Sequence, residues 1–273
     1  MTGVLQLRAP LTRALDLSPL SSGLSEGLSL TALRGLELPY GTEKVPLGEL
    51  FRAQGASRPR SLVFDPGSPW FDRLGMGLRS GRIEVRGDAG EALGLEMRGG
   101  RIEVLGDVAA WAGAGMSGGE IRVAGNAGDA LGGALPGNLL GMRAGYIHVR
   151  GSAGRRIGEA MRRGLILVEG SAASECATRM RAGTVIVLGR IGPRMALGMR
   201  RGSLVLARRP AALPATFNYS GRSEFGMLRV LFRQLARSRQ ELQFFYKLSI
   251  VAERFSGDLS VSGKGEVLTL QRA

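Results

Sequence analysis

The chain has 273 residues, room for one large domain or two modest ones, with a formal net charge of +14 and a single cysteine, Cys176. One cysteine excludes an internal disulfide framework and a cysteine-rich metal or iron–sulfur site. No apolar run reaches the roughly 18 residues of a membrane span, and MTGVLQLRAPLTRALDL interrupts its apolar groups with charge, so no membrane contact is expected and the cytoplasm is the expected location.

Of the 37 basic residues only Lys44, Lys247 and Lys264 are lysines, which leaves 34 arginines. A GC-rich coding bias explains the preference for arginine but not the net excess of positive charge, which calls for an acidic partner. Nucleic acid fits poorly, because base-stacking aromatics are only 5% of the chain.

Residues 1–60 hold short segments punctuated by Pro and Gly, LTALRGLELPYG and PLGELFRAQG, and are expected to form a small mixed cap. SLVFDPG, from Ser61 to Gly67, is expected to supply an atypical first strand. A repeat follows. The motif G-x-[IVL]-x-[VL] opens at Gly81, Gly100, Gly119, Gly145, Gly164, Gly183 and Gly202, with spacings of 19 residues interrupted once by 26. The surplus falls in GALPGNLLG, whose Pro136, Gly137 and Asn138 read as a surface loop.

Within each motif apolar residues alternate as a pleated strand requires, from Ile83 and Val85 through Ile102 and Val104 to Leu204 and Leu206. Three residues before each opening glycine stands Leu78, Met97, Met116, Met142, Met161, Met180 or Met199. After a second glycine column come Asp88, Asp107, Asn126, Ser152 and Ser171, short polar groups suited to bonding local backbone at turns. A 19-residue unit with one short strand cannot bury its apolar face alone and has to stack on its neighbours. The left-handed hexapeptide helices of acyltransferases also stack, but a period of 19 drifts out of their register. Residues 61–213 are therefore expected to form an all-β, right-handed parallel β-helix of about seven coils. Beyond Pro214, SEFGMLRVLFRQLARSRQELQFFYKL places Leu228, Leu231, Phe232 and Leu235 on one side of a helix. Residues 214–273 are expected to be a C-terminal helix and tail that pack on the repeat or on a partner.

The repeat absorbs most candidate catalytic motifs. Gly113, Gly115 and Gly118 form G-x-G-x-x-G, yet two of them belong to repeating columns and no long crossover helix follows. Gly23, Ser25 and Gly27 form G-x-S-x-G among turn residues rather than after a buried strand. His148, the only histidine, shares an outward column with Glu84, Glu103 and Arg122 and reads as a surface or interface residue. Cys176 shares a column with Leu, Ala, Ile and Met and reads as a small hydrophobe. No catalytic residue, metal ligand or cofactor site is expected from these patterns.

Two ladders remain. The residue after the methionine column is Arg79, Arg98, Ser117, Arg143, Arg162, Arg181 or Arg200, arginine in six repeats of seven. Stacked about 5 Å apart, these like charges repel unless acidic groups lie beside them. Either each guanidinium caps carbonyls at a corner or meets solvent, or the edge takes an acidic partner surface or a polyanionic ligand. The second ladder is the outward column, which turns apolar at Leu167, Ile186 and Val205. Those three are candidate interface residues, to be covered by the C-terminal helix, by another subunit, or by both.

MRAGYIHVRGSAG, with its G-x-I-x-V-x-G-x-A-G pattern, resembles the GXGXG family, which covers the C-terminal β-helix domain of large glutamate synthase subunits and the glycine-repeat subunit of formylmethanofuran dehydrogenases. LPYGTEKVPLGELF, FNYSGRSEFGMLRVLFRQL and SGDLSVSGKGEVL look like the formylmethanofuran protein, and the Arg- and Ala-rich composition is similar to its bacterial branch, the corresponding subunit in the formyltransferase/hydrolase complex of methylotrophic bacteria. The resemblance implies a non-catalytic structural subunit in tetrahydromethanopterin-linked oxidation of formaldehyde to formate. Its implied partners are a hydrolase, a formyltransferase and a further dehydrogenase-like subunit. It also implies a methanofuran-like carrier with a glutamate-rich tail, and on our own reading that tail is one candidate polyanion for the arginine ladder. The alternative from composition and repeat alone is a free-standing β-helix enzyme acting on an anionic polymer.

Overall fold

The computed structural model of the chain describes residues 1–271. Its N-terminal part runs β1 (Thr2–Leu7), β2 (Leu15–Asp16), α1 (Ser18–Ser25), α2 (Leu30–Arg34), β3 (Glu37–Tyr40), β4 (Glu43–Pro46), α3 (Leu47–Leu50), β5 (Phe51–Gly55), β6 (Ser61–Phe64) and β7 (Phe71–Asp72). Each glycine-led repeat then supplies one strand: β8 (Arg82–Val85), β9 (Arg101–Val104), β10 (Ser117–Val123), β11 (Ala144–Val149), β12 (Leu165–Val168), β13 (Thr184–Val187) and β14 (Ser203–Leu206). The chain closes with β15 (Asn218–Glu224), α4 (Gly226–Ser238), a 3-10 helix (Gln240–Lys247), β16 (Val251–Gly257) and β17 (Gly265–Leu270).

These strands correct the expected architecture. In place of an all-β, right-handed parallel β-helix of about seven coils, thirteen strands form one mixed sheet in the order β15-β16-β17-β14-β13-β12-β11-β10-β9-β8-β6-β1-β5, and β4-β3-β2-β7 form a second, small sheet. The β15–β16, β16–β17 and β1–β5 pairings are antiparallel. Helices α1–α4 add a small helical part. The physical reason is that the period reports only on residues that repeat. It fixes one parallel strand per repeat and is silent about the aperiodic flanks, which extend the same sheet at both ends.

Within the repeat the strands pair in register: Ile83 faces Ile102, and Ile121, Ile147, Ile166, Val185 and Leu204 follow in the same row. All seven are fully buried, and the methionine column is buried beside them. The opening glycines answer to that column. Gly183 has φ +102°, and a Cβ there would stand 2.8 Å from Cε of Met161 in the preceding repeat, so both backbone and space demand glycine. Outside the sheet a second ladder of single bridges links Ser68, Ala89, Val108, Ala127, Ala153, Ala172 and Ile191. The short polar column serves the next repeat rather than its own turn. Asp88 Oδ1 accepts from Asp107 N at 2.8 Å, Asp107 Oδ1 from Asn126 N at 2.7 Å, and Asn126 Oδ1 from Ser152 N at 2.9 Å.

The C-terminal helix is shorter than its apolar pattern. Leu228, Phe232, Leu235 and Ala236 are buried at helical spacing, after which Arg239 adopts an extended backbone (φ −155°, ψ 152°). The 3-10 helix that follows buries Leu242 and Phe245, three residues apart, as its three-residue turn dictates. Both helices lie over Leu167, Ile186 and Val205, forming an apolar cluster separate from the main core. Each such fully buried side chain is worth about 1.5–3 kcal/mol.

Candidate functional site

The arginine ladder is set by backbone geometry. The amides of Arg98, Arg162, Arg181 and Arg200 donate at 2.8 Å to the carbonyls of Leu78, Met142, Met161 and Met180 one repeat earlier, and Arg143 N donates to Met116 O at 2.7 Å. Arg79, at the head of the column, donates its amide to Ser25 Oγ at 3.2 Å. All six side chains are exposed, and none joins an ion pair among the described residues. Arg143 alone reaches a carbonyl, that of Gly115, at a long 3.5 Å. Carbonyl capping thus accounts for at most one guanidinium of the six.

The ladder does not act as a uniform edge. At its C-terminal end, Arg162, Arg181, Arg200, Arg201 and Lys264 line a groove of about 480 Å³ together with Val261 and Ser262. An adjoining groove of about 220 Å³ shares Arg181, Arg200 and Val261 and adds Arg179 and the loop residues Asn138 and Leu139. Lys264 is placed there because its amide donates to Arg200 O at 2.7 Å, continuing the ladder one step past the last repeat. Asp258 locks the same tail. It is buried, accepts from Gly198 N at 2.8 Å and from Ser260 N at 2.9 Å, and its amide donates to Met199 O at 3.0 Å. Burial alone would raise the Asp258 carboxyl's pKa, but these hydrogen bonds outweigh it and hold the pKa below the usual carboxylate value. Five cations converge on a groove that no carboxylate lines among the described residues, which suits an anion with several carboxylates or phosphates.

The other singled-out residues are committed elsewhere. His148 is not a surface residue: it is 2% exposed, with Nε2 2.7 Å from Glu169 Oε1 and its ring stacked against Tyr146. Its neighbour Arg122 is also buried, held between Glu120 and Glu241, the latter at 3.6 Å. Tyr146 lies beside both, and burial raises its hydroxyl's pKa. Cys176 is fully buried, with its thiol pushed up to about 12 by desolvation, which makes it inert. Ser25 spends its hydroxyl oxygen on Arg79. Leu167, Ile186 and Val205 are fully buried under the chain's own C-terminal helices, so their side chains are not open to a partner.

Residues 71–220 match the GXGXG motif family. The chain belongs to the GXGXG family. Over 99% of its own length and 99% of the other chain, this GXGXG protein is 36% identical, with a TM-score of 0.87, to a chain in the crystal structure of the formyltransferase/hydrolase complex (FhcABCD) from Methylorubrum extorquens in complex with methylofuran. No curated protein sequence matches it. In this GXGXG chain the groove includes two cations that lie off the repeating columns. Arg201 is visible as the second member of an Arg-Arg pair also found at Arg162 and Arg163, and Lys264 is one of only three lysines. Arg201 lies one place outside the arginine column and Lys264 outside the repeat, so periodicity alone could not single out either.

Proposed function

We propose that the chain is the structural subunit of a cytoplasmic formyltransferase/hydrolase complex, anchoring the hydrolase, the formyltransferase and a dehydrogenase-like subunit without performing either reaction. The observation that carries this reading is full-length similarity at 36% identity to a chain of such a complex. Supporting it, the residues best suited to catalysis are consumed by the fold: His148 by Glu169, Ser25 by Arg79, and Cys176 by burial. In this reading residues 1–60 close one end of the repeat, residues 61–213 form the scaffold, and residues 214–273 supply a covering and docking layer. The cationic groove at Arg162, Arg181, Arg200, Arg201 and Lys264, continued along Arg143, Arg98 and Arg79, holds the glutamate-rich tail of a methanofuran-type carrier.

Affinity purification of the tagged chain from its native cells, with mass identification of what accompanies it, tests the assembly. Three partner polypeptides at fixed stoichiometry are expected, and an isolated protomer that turns over substrate unaided overturns the reading. For the groove, a glutamate oligomer is titrated against the full chain. Affinity is expected to fall steeply with added salt and to drop by about tenfold or more in R162A/R181A/R200A. Binding that ignores both salt and these substitutions removes the groove from the proposal.

A further inference from the structure

β15 is the one strand of the thirteen-stranded sheet without a buried residue. It lies at the end of the sheet, bonded on one side to β16, and its other edge pairs with nothing among the described residues. Tyr219 rests on Phe255, with ring centroids 5.5 Å apart, yet remains 60% exposed, and the space around Gly221 is open. The opposite end of the same sheet is treated differently. There β5 is flanked by α2 and α3, and Arg34 donates to the carbonyl of Ala53 in the edge strand. Sheets ordinarily cover or blunt their edges, and a strand with two wet faces and a free edge is marginal until something pairs with it.

We infer that the free edge of β15 receives an extended, acid-bearing segment of another polypeptide of the assembly, added to the sheet as a further strand with a carboxylate facing Arg222. The inference rests on the chain being part of a larger heteromeric complex. Arg222 is exposed and joins no ion pair among the described residues, in a chain of net charge +14. Glu253 of β16 stands opposite it in the ladder but pairs with Arg209, at 3.7 Å. A second copy of this chain is a poorer occupant. Antiparallel self-pairing along all of β15 centres on Gly221 and opposes Arg222 to Ser220, which forms no ion pair. Sliding the copies to oppose Arg222 and Glu224 centres the pair on Ser223 and drives each strand end into α4, which begins at Gly226. Main-chain bonds of an added strand supply affinity, and the cross-strand charge supplies selectivity.

Hydrogen exchange read by mass spectrometry, on the full chain alone and within the purified complex, tests this. Amides of residues 218–224 are expected to slow by about tenfold or more on assembly, and Arg222→Gln, which removes the charge without setting a second carboxylate opposite Glu253, to weaken assembly by about threefold or more while leaving the thermal melt of the isolated chain unchanged. Equal exchange in the two states overturns the inference, as does an Arg222→Gln chain that assembles normally. Slowing that appears in the isolated chain as its concentration rises overturns it in favour of self-pairing. When partners co-purify but β15 stays unprotected, only the edge inference fails. When no partner co-purifies, the reading of the chain as part of a complex fails with it.

Discussion

The outward column of the repeat has two halves that share one backbone and differ in what covers them. In β8 and β9 the column holds Glu84 and Glu103, part-buried acids paired with Arg82 and Arg86 at the surface, and from the C-terminal layer Arg239 reaches this half, 3.5 Å from Glu103. In β12, β13 and β14 it holds Leu167, Ile186 and Val205, fully buried under α4 and the 3-10 helix. Between them Arg122 and His148 are buried yet polar, each with a carboxylate partner. Inward, the two halves are alike, with the same Ile/Val/Leu row in the same register. Strand formation is therefore set by the inward row and the glycines, while the outward column records which part of the sheet meets water and which meets the C-terminal layer.

The sharpest way to break this contrast is to place a charge in each half. Ile186→Asp buries a carboxylate with no partner and is expected to cost about 3–5 kcal/mol in urea denaturation. Glu84→Ala, at the matching place in the open half, removes pairs whose arginines lie in solvent and is expected to change stability by about 1 kcal/mol or less. Equal losses at the two sites would refute the division. The covered half further depends on the tail that runs from β16 to β17, held by Asp258. Asp258→Asn is expected to cost about 1–3 kcal/mol near neutral pH. Because the folded carboxyl's pKa lies below its unfolded value, its contribution is present above the unfolded value and is lost as pH falls through the folded one. The gap between wild type and variant should thus close in acid, and a gap that is flat with pH would show that Asp258 does not act through its charge. The smallest effect is expected at the boundary. His148→Leu extends the apolar half by one row and returns Glu169, already partly exposed, to water, so stability should move by about 1 kcal/mol or less in either direction.

Much of this was legible in the residues. The opening glycines, the methionine column and the alternating Ile/Val pairs located every repeat strand, and SLVFDPG located β6, which pairs in parallel with β8. The column arithmetic also aligned the six arginines along one edge, and the folded chain leaves all six exposed. It did not tell that their C-terminal members join Arg201 and Lys264 in a groove, because Arg201 lies outside the column and the tail that brings Lys264 there has no period to follow. His148 was misplaced for the same reason: its own column offers no partner, and Glu169 follows the end of the next strand.

By itself the sequence determined the unit, its length and its register, since identical residues at identical spacing allow only a stack in which like meets like. Tertiary structure decided everything contributed by segments that occur once. It made the sheet mixed rather than purely parallel, laid α4 over Leu167, Ile186 and Val205, and left β15 bare at one end while Arg34 closed the other. A repeated element constrains its neighbours through many equivalent contacts, whereas a unique segment is placed by a few contacts distant along the chain, and those exist only once the molecule has folded.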